Sequence, residues 1–327
     1  MFRSAEKKLL TASEKGDLTE VRRLLNKGVN VNCPDNDGWT ALIWASGVGH
    51  IGILKALLEK NAKIDLQDNN RRTALIVSSG VGHVEIVKAL LEKNAKVDLQ
   101  DNNGQTALIF ASSKGHVDIV MALLEKNAKV DLQDNEGWTA LIWASGVGHI
   151  GILKALLEKN AKIDLQENEG RTALMAASGN GHVDILKALL EKNAKIDLQD
   201  KAGITALTLA SWNGHVDIVK ALLEKNATID IQEKAGSTAL IWASWNGHFD
   251  IVKALLEKNA KIDLQDNNGC TALMMASNKG HVDIVNLLKA VRTFIASHPH
   301  PCSQQIQSWL LPITKLIGTI TSTDSDE

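Results

Sequence analysis

The strongest constraint on this chain is a period. The stretch GWTALIWASGVGHIGILKALLEKNAKIDLQ at 38–67 occurs again, unchanged, at 137–166, displaced by 99 residues. Between and beyond these copies the same pattern returns every 33 residues, as in RTALMAASGNGHVDILKALLEKNAKIDLQ at 171–199. A fixed period of this size means that one small supersecondary unit is reused, each copy covering the apolar face of the next. Two ordinary domains would fit 327 residues. A stack of units is instead expected to form one elongated domain, because no single core limits its growth.

Full units begin at Asp35, Asp68, Asp101, Asp134, Glu167, Asp200, Glu233 and Asp266, after a half-matching unit at 4–34. With helices about 9 Å apart, the stack is expected to run about 80 Å. Each unit reads alike. Asp-Asn-x-Gly is a turn in which Gly can take a positive φ. The next Thr caps a short helix, its hydroxyl accepting from a free backbone N–H. Small Ala and Ser let a neighbouring helix approach, and x-x-Gly-His ends the helix. In VDIVKALLEKN a second helix sets Val216, Ile218, Val219, Leu222 and Leu223 on its buried sides. Asn226 closes it, as Asn does in seven units and Gly28 in the first; a helix end favours a left-handed residue. Arg71 breaks the turn rule by standing where the other full units have Gly. A positive φ there costs a side-chain-bearing residue on the order of 1 kcal/mol.

The unit resembles the ankyrin repeat. Thr139, Leu141, Ala144, Gly148-His149, Leu156-Leu157 and Ala161 carry the likeness, which covers roughly residues 4–292. It implies an all-α solenoid of helix-turn-helix units with short β-hairpin-like tips. Residues 1–34 would form an N-terminal capping repeat and 35–292 eight full repeats; 293–327 would form a linker, a capping helix and an acidic tail. Two departures recur in every full unit. Ala140 stands at the usual Pro, and Ile142 marks the position that lacks the usual His. The Thr–His hydrogen bond of the family is therefore expected to be absent. After 292 the period fails: SHPHPCSQ (297–304) reads as a linker, and TSTDSDE (321–327) as a disordered acidic tail. IQSWLLPITKLIGTI (306–320) is apolar enough to fold back over the last repeat, or to dock on a partner.

Composition removes several function classes. A net charge of −2 lacks the basic excess of a nucleic-acid or acidic-membrane surface. Cys33, Cys270 and Cys302 have neither metal nor redox spacing, which fits a reducing, cytoplasmic setting. The opening MFRSAEKKLL lacks an apolar leader region, and no 18-residue apolar stretch is available to span a membrane.

Two motifs mimic chemistry. G-x-G-x-x-G occurs at Gly47, Gly49 and Gly52 and again at Gly146, Gly148 and Gly151. A dinucleotide site needs those glycines between a strand and a helix. Here they join two helices, and other copies put an acid at the third position, as in GVGHVE at 80–85. Eight of the ten histidines sit in the Gly-His turn, once per unit. At about 9 Å spacing they cannot converge on a metal, so each reads as a turn histidine bonded to backbone. No nucleophile–base grouping stands out, so neither enzyme activity, cofactor nor metal is expected.

What varies within the constant frame is informative. The fifth slot holds Trp39, Arg72, Trp138 and Arg171; the thirteenth and fourteenth hold Gly47-Val48, Gly80-Val81, Ser113-Lys114, Trp212-Asn213 and Trp245-Asn246. By the resemblance, these slots face the concave side. Trp and Arg most often carry interface energy, so Trp39, Arg72, Trp138, Arg171, Trp212, Asn213, Trp245 and Asn246 are the expected partner surface. The competing reading has the tryptophans pack on neighbouring turns and bind nothing. Trp44, Trp143 and Trp242, at the tenth slot, share it with Val77, Phe110, Leu209 and Met275, and read as core packing. The expected function is a monomeric, non-enzymatic scaffold or adaptor for an unidentified protein partner. The alternatives are a structural spacer and, more remotely, a nucleotide-binding enzyme using the G-x-G-x-x-G segments.

Overall fold

The computed structural model describes residues 4–298, 305 and 308–310. It forms two compact units, Met1–Asn168 and Glu169–Glu327, each built of helix pairs. Unit 1 holds α1 (Ser4–Lys15) with α2 (Leu18–Asn26), α3 (Ala41–Val48) with α4 (Ile51–Glu59), α5 (Ala74–Val81) with α6 (Val84–Glu92), α7 (Ala107–Lys114) with α8 (Val117–Glu125), and α9 (Ala140–Val147) with α10 (Ile150–Glu158). Unit 2 holds α11 (Ala173–Asn180) with α12 (Val183–Glu191), α13 (Ala206–Asn213) with α14 (Val216–Glu224), α15 (Ala239–Trp245) with α16 (Phe249–Glu257), and α17 (Ala272–Lys279) with α18 (Val282–Ser297). Within unit 1, α1, α3, α5, α7 and α9 pack in succession, as do the even-numbered helices; unit 2 repeats the arrangement. The architecture is an all-α solenoid of repeated helix pairs.

The local rules hold in detail. The Thr40 hydroxyl accepts from the Ile43 N–H at 3.3 Å, and Thr139 from Ile142 at 3.2 Å. The family's Thr–His contact has no counterpart here, since Ile43 and Ile142 are buried apolar residues. Thr208 offers a partial substitute, its hydroxyl lying 3.0 Å from that of Thr205. The short first helix ends on a left-handed glycine such as Gly49 (φ 96°). The second ends on a left-handed Asn: Asn61, Asn94, Asn127, Asn160, Asn193, Asn226 and Asn259 all have φ between 58° and 65°. Ile218, Val219, Leu222 and Leu223 are buried as expected, whereas Val216 is half-buried because it opens α14 at the turn.

Among the described residues no strand forms. The tips are closed turns: Asp35 N–H donates to the Trp39 carbonyl at 2.9 Å, and Gly38 N–H to that of Asp35 at 3.1 Å. The Asp35 carboxylate also accepts from the N–H groups of Asp37 and Trp39 at 3.0 and 2.8 Å. Arg71 sits in this turn at φ 61°, in the left-handed conformation its slot requires.

Neighbouring repeats are tied at three levels. Across the tips, Asn69 N–H donates to the Asp37 carbonyl at 3.0 Å, and its side-chain amide to that of Asn36 at 3.0 Å. Beyond the second helices, Lys96 N–H donates to the Asp65 carboxylate at 2.9 Å. At the Gly-His turn, His83 Nε2 meets the Gly47 carbonyl at 3.3 Å, and His281 meets that of Trp245 at 3.1 Å. The ring lies so close that a Cβ on Gly49 would stand 2.8 Å from His83 Cε1.

The period stops at 292, but the helix does not. Helix α18 has 16 residues where its counterparts have nine. VRTFIAS carries no left-handed stop residue, and the extension buries Val291 and Phe294. Trp309 stacks on Phe294 with ring centroids 4.5 Å apart, and Leu310 is buried. The rest of 306–320, together with 299–304 and 321–327, lies outside the described residues.

Two stability outcomes follow. Arg71→Gly removes the left-handed strain and is expected to raise the denaturation midpoint by about 1 kcal/mol of stability, read by urea titration. Gly247→Ala and Gly280→Ala share the penalty of a positive φ (79° and 77°), but only the first drives a Cβ to 2.6 Å from a ring, that of His281. Gly247→Ala is therefore expected to lose more stability than Gly280→Ala; equal losses would show that the histidine ring does not lock adjacent repeats.

Candidate functional site

In unit 1 the variable slots converge on a groove of about 430 Å³. Its lining includes Trp39 and Trp44 from the first full repeat, Arg72 and Val77 from the second, and Phe110 and Lys114 from the third. Val48 and Val81, also on the wall, are 45% and 54% exposed, high values for such residues. Small residues make this surface possible. Gly47 lies inside α3, where a Cβ would come to 3.1 Å from Val77 and 3.4 Å from the Trp39 ring.

Trp39 is half-buried, its ring 4.6 Å from that of Trp44. The Arg72 guanidinium sits 5.3 Å above it and pairs with the buried Asp68 carboxylate at 2.8 Å. Trp44 is half-buried too, so it belongs to the groove and not to the core that its apolar slot implied. Its indole N–H donates to Asp35 at 2.8 Å. The same holds for Trp138 and Trp143, which lie 4.7 Å apart and border a more polar depression with Gln105 and Glu136. In that pair the Trp143 indole N–H has no hydrogen-bond partner among the described residues.

Unit 2 arranges its aromatics differently. Trp212 is 43% exposed and stacks on half-buried Trp242 of the following repeat, centroids 4.0 Å apart and planes 27° apart. Trp245 is half-buried beneath the Lys279 ammonium, 4.0 Å from its ring. Arg171 is exposed, just before α11.

Of the four tryptophans expected to form the partner surface, Trp212 is exposed; Trp39, Trp138 and Trp245 are half-buried against a second ring or a cation. Asn213 and Asn246 also have a structural task. Their amides donate to the Gly179 and Trp212 carbonyls, each at 2.9 Å, the same carbonyls that His215 and His248 approach. Sequence reasoning placed Phe110 in the core and left Lys114 and Lys279 out of the partner set. The available signal was that their slots vary while the frame does not.

Chemistry other than binding finds little support in this arrangement. The G-x-G-x-x-G segment spans a helix end, with Gly47 in α3, Gly49 at its left-handed stop and Gly52 in α4. His50, His83, His116, His215, His248 and His281 are spent on backbone carbonyls of the preceding repeat. Burial, and then the Glu6 carboxylate, push the Cys33 thiol up, which disfavours the thiolate a nucleophile needs. Among the described residues no cluster of metal-ligating side chains forms, and no helix is long and apolar enough to cross a membrane.

The Arg72–Asp68 pair gives a test of how the groove is held. Arg72→Ala leaves the buried carboxylate only the N–H groups of Asn70 and Arg72 at 2.9 and 2.7 Å. A loss of about 1–2 kcal/mol is expected by urea titration, with partial recovery in Arg72→Lys, which restores charge but not the flat stacking surface.

No curated protein matches this chain. A family model described as ankyrin repeats (3 copies) matches it at residues 9–101, 79–167, 159–235 and 225–295. With matches over most of its length, and with the helix pairs, left-handed stops and Gly-His turns already described, the chain belongs to the ankyrin repeat family.

Proposed function

We propose that this chain is a non-enzymatic scaffold that binds a protein partner through the aromatic slots of its first helices. Ankyrin repeats are generally protein–protein interaction modules and typically not enzymes. The observation that carries the reading is a contrast. The frame repeats almost letter for letter, while large aromatics and cations gather at the few slots that vary: Trp39 with Arg72, Trp212 with Trp242, Trp245 with Lys279. Neither the turns nor the helix stops require those side chains. Rings held by a stack or a cation lose little freedom on binding, which favours affinity.

The test is an affinity pull-down from cell extract with the wild-type chain beside a variant in which Trp39, Trp138, Trp212 and Trp245 are Ala. Because three of these rings are half-buried, a second variant, Val48→Ser with Val81→Ser, alters exposed walls only. Retention of specific proteins by the wild type and their loss from both variants, at unchanged melting, is the expected result. Identical protein lists from all three chains would favour a spacer.

A further inference from the structure

The groove of unit 1 has a chemical polarity that narrows its partner. Its floor is one slot repeated across three successive helices: Trp44 on α3, Val77 on α5 and Phe110 on α7, all half-buried. Helices at about 9–10 Å spacing make this apolar strip about 20 Å long, the reach of roughly six residues of extended chain. The small Gly47 and Gly80 at the thirteenth slot leave the strip open, where unit 2 carries Trp212 and Trp245.

Charge on the lining has one sign. Arg72 and Lys114 are its ionisable residues, and no carboxylate lines it. The nearby acids are engaged: Asp68 pairs with Arg72, and Asp35 takes the Trp44 indole N–H. Lys114, exposed at the C-terminal end of α7, has no acidic partner among the described residues. A cation beside an apolar strip attracts a carboxylate and repels a basic segment.

Taking the protein-binding reading as its basis, we infer that this groove receives a short extended peptide segment of acidic and apolar character. One or more large apolar side chains would rest on the Trp44–Val77–Phe110 strip, with an Asp or Glu carboxylate meeting Lys114. Val48 and Val81 would lose their exposure to water on docking, which supplies the apolar share of the affinity.

A random heptapeptide library displayed on phage, selected against the full chain, tests this. Recovered peptides are then synthesised and titrated against variants. The expected peptides carry Asp or Glu beside Leu, Phe or Trp. Their affinity should fall about tenfold or more in Lys114→Glu, stay within about threefold in Lys114→Arg, and fall in the Val48→Ser, Val81→Ser variant. Peptides that need the two valines but carry no acid, or that ignore Lys114→Glu, would overturn the inferred chemistry and leave protein binding intact. Failure to recover any peptide dependent on those valines would defeat both readings for this groove.

Discussion

Helices of eight or nine residues do not persist alone in water, so the contact between one repeat and the next carries the whole structure. That contact is specific. A histidine ring lies over a left-handed glycine and faces a carbonyl of the preceding repeat; a tip N–H reaches back to the preceding tip; a backbone N–H finds an Asp one repeat earlier. Dispersion and burial supply most of the stabilisation through residues such as Leu54, Leu57 and Ile86. The polar ties supply register, because each lines up only when the units are offset by one full period.

The frame was legible in the sequence for a physical reason. A left-handed residue must be Gly or tolerate φ > 0, and the repeated Asn and Gly met that demand at the helix ends before α18. Thr before an apolar run could serve as a cap, and it does. Even the exception was readable: Arg71 breaks the glycine pattern and takes φ 61° all the same.

The surface was harder to read. The tenth slot accepts Trp, Val, Phe, Ala, Leu or Met, which resembles a core position by composition. What lies against it comes from the thirteenth slot of the preceding repeat: Gly47 stands beside Val77 and Gly80 beside Phe110, whereas Trp212 lays its indole across Trp242. The surroundings of the slot are thus set by a residue one repeat away, and no single-position preference encodes them. The asparagines following Trp212 and Trp245 show the reverse: they looked free and are bound to backbone.

The turn built on Arg71 has a consequence for dynamics. It carries Arg72, the residue that clasps Trp39 and lines the groove. Conformational strain of about 1 kcal/mol there lowers the cost of local opening at that tip relative to its glycine-bearing neighbours. In a chain where each repeat leans only on the adjacent ones, such a spot acts as a boundary between cooperative blocks. Amide hydrogens around 68–73 would then exchange with solvent sooner than their equivalents one period away. A bound partner that presses on Arg72 and Trp39 would slow that exchange, so occupancy of the groove would be written into the backbone beneath it.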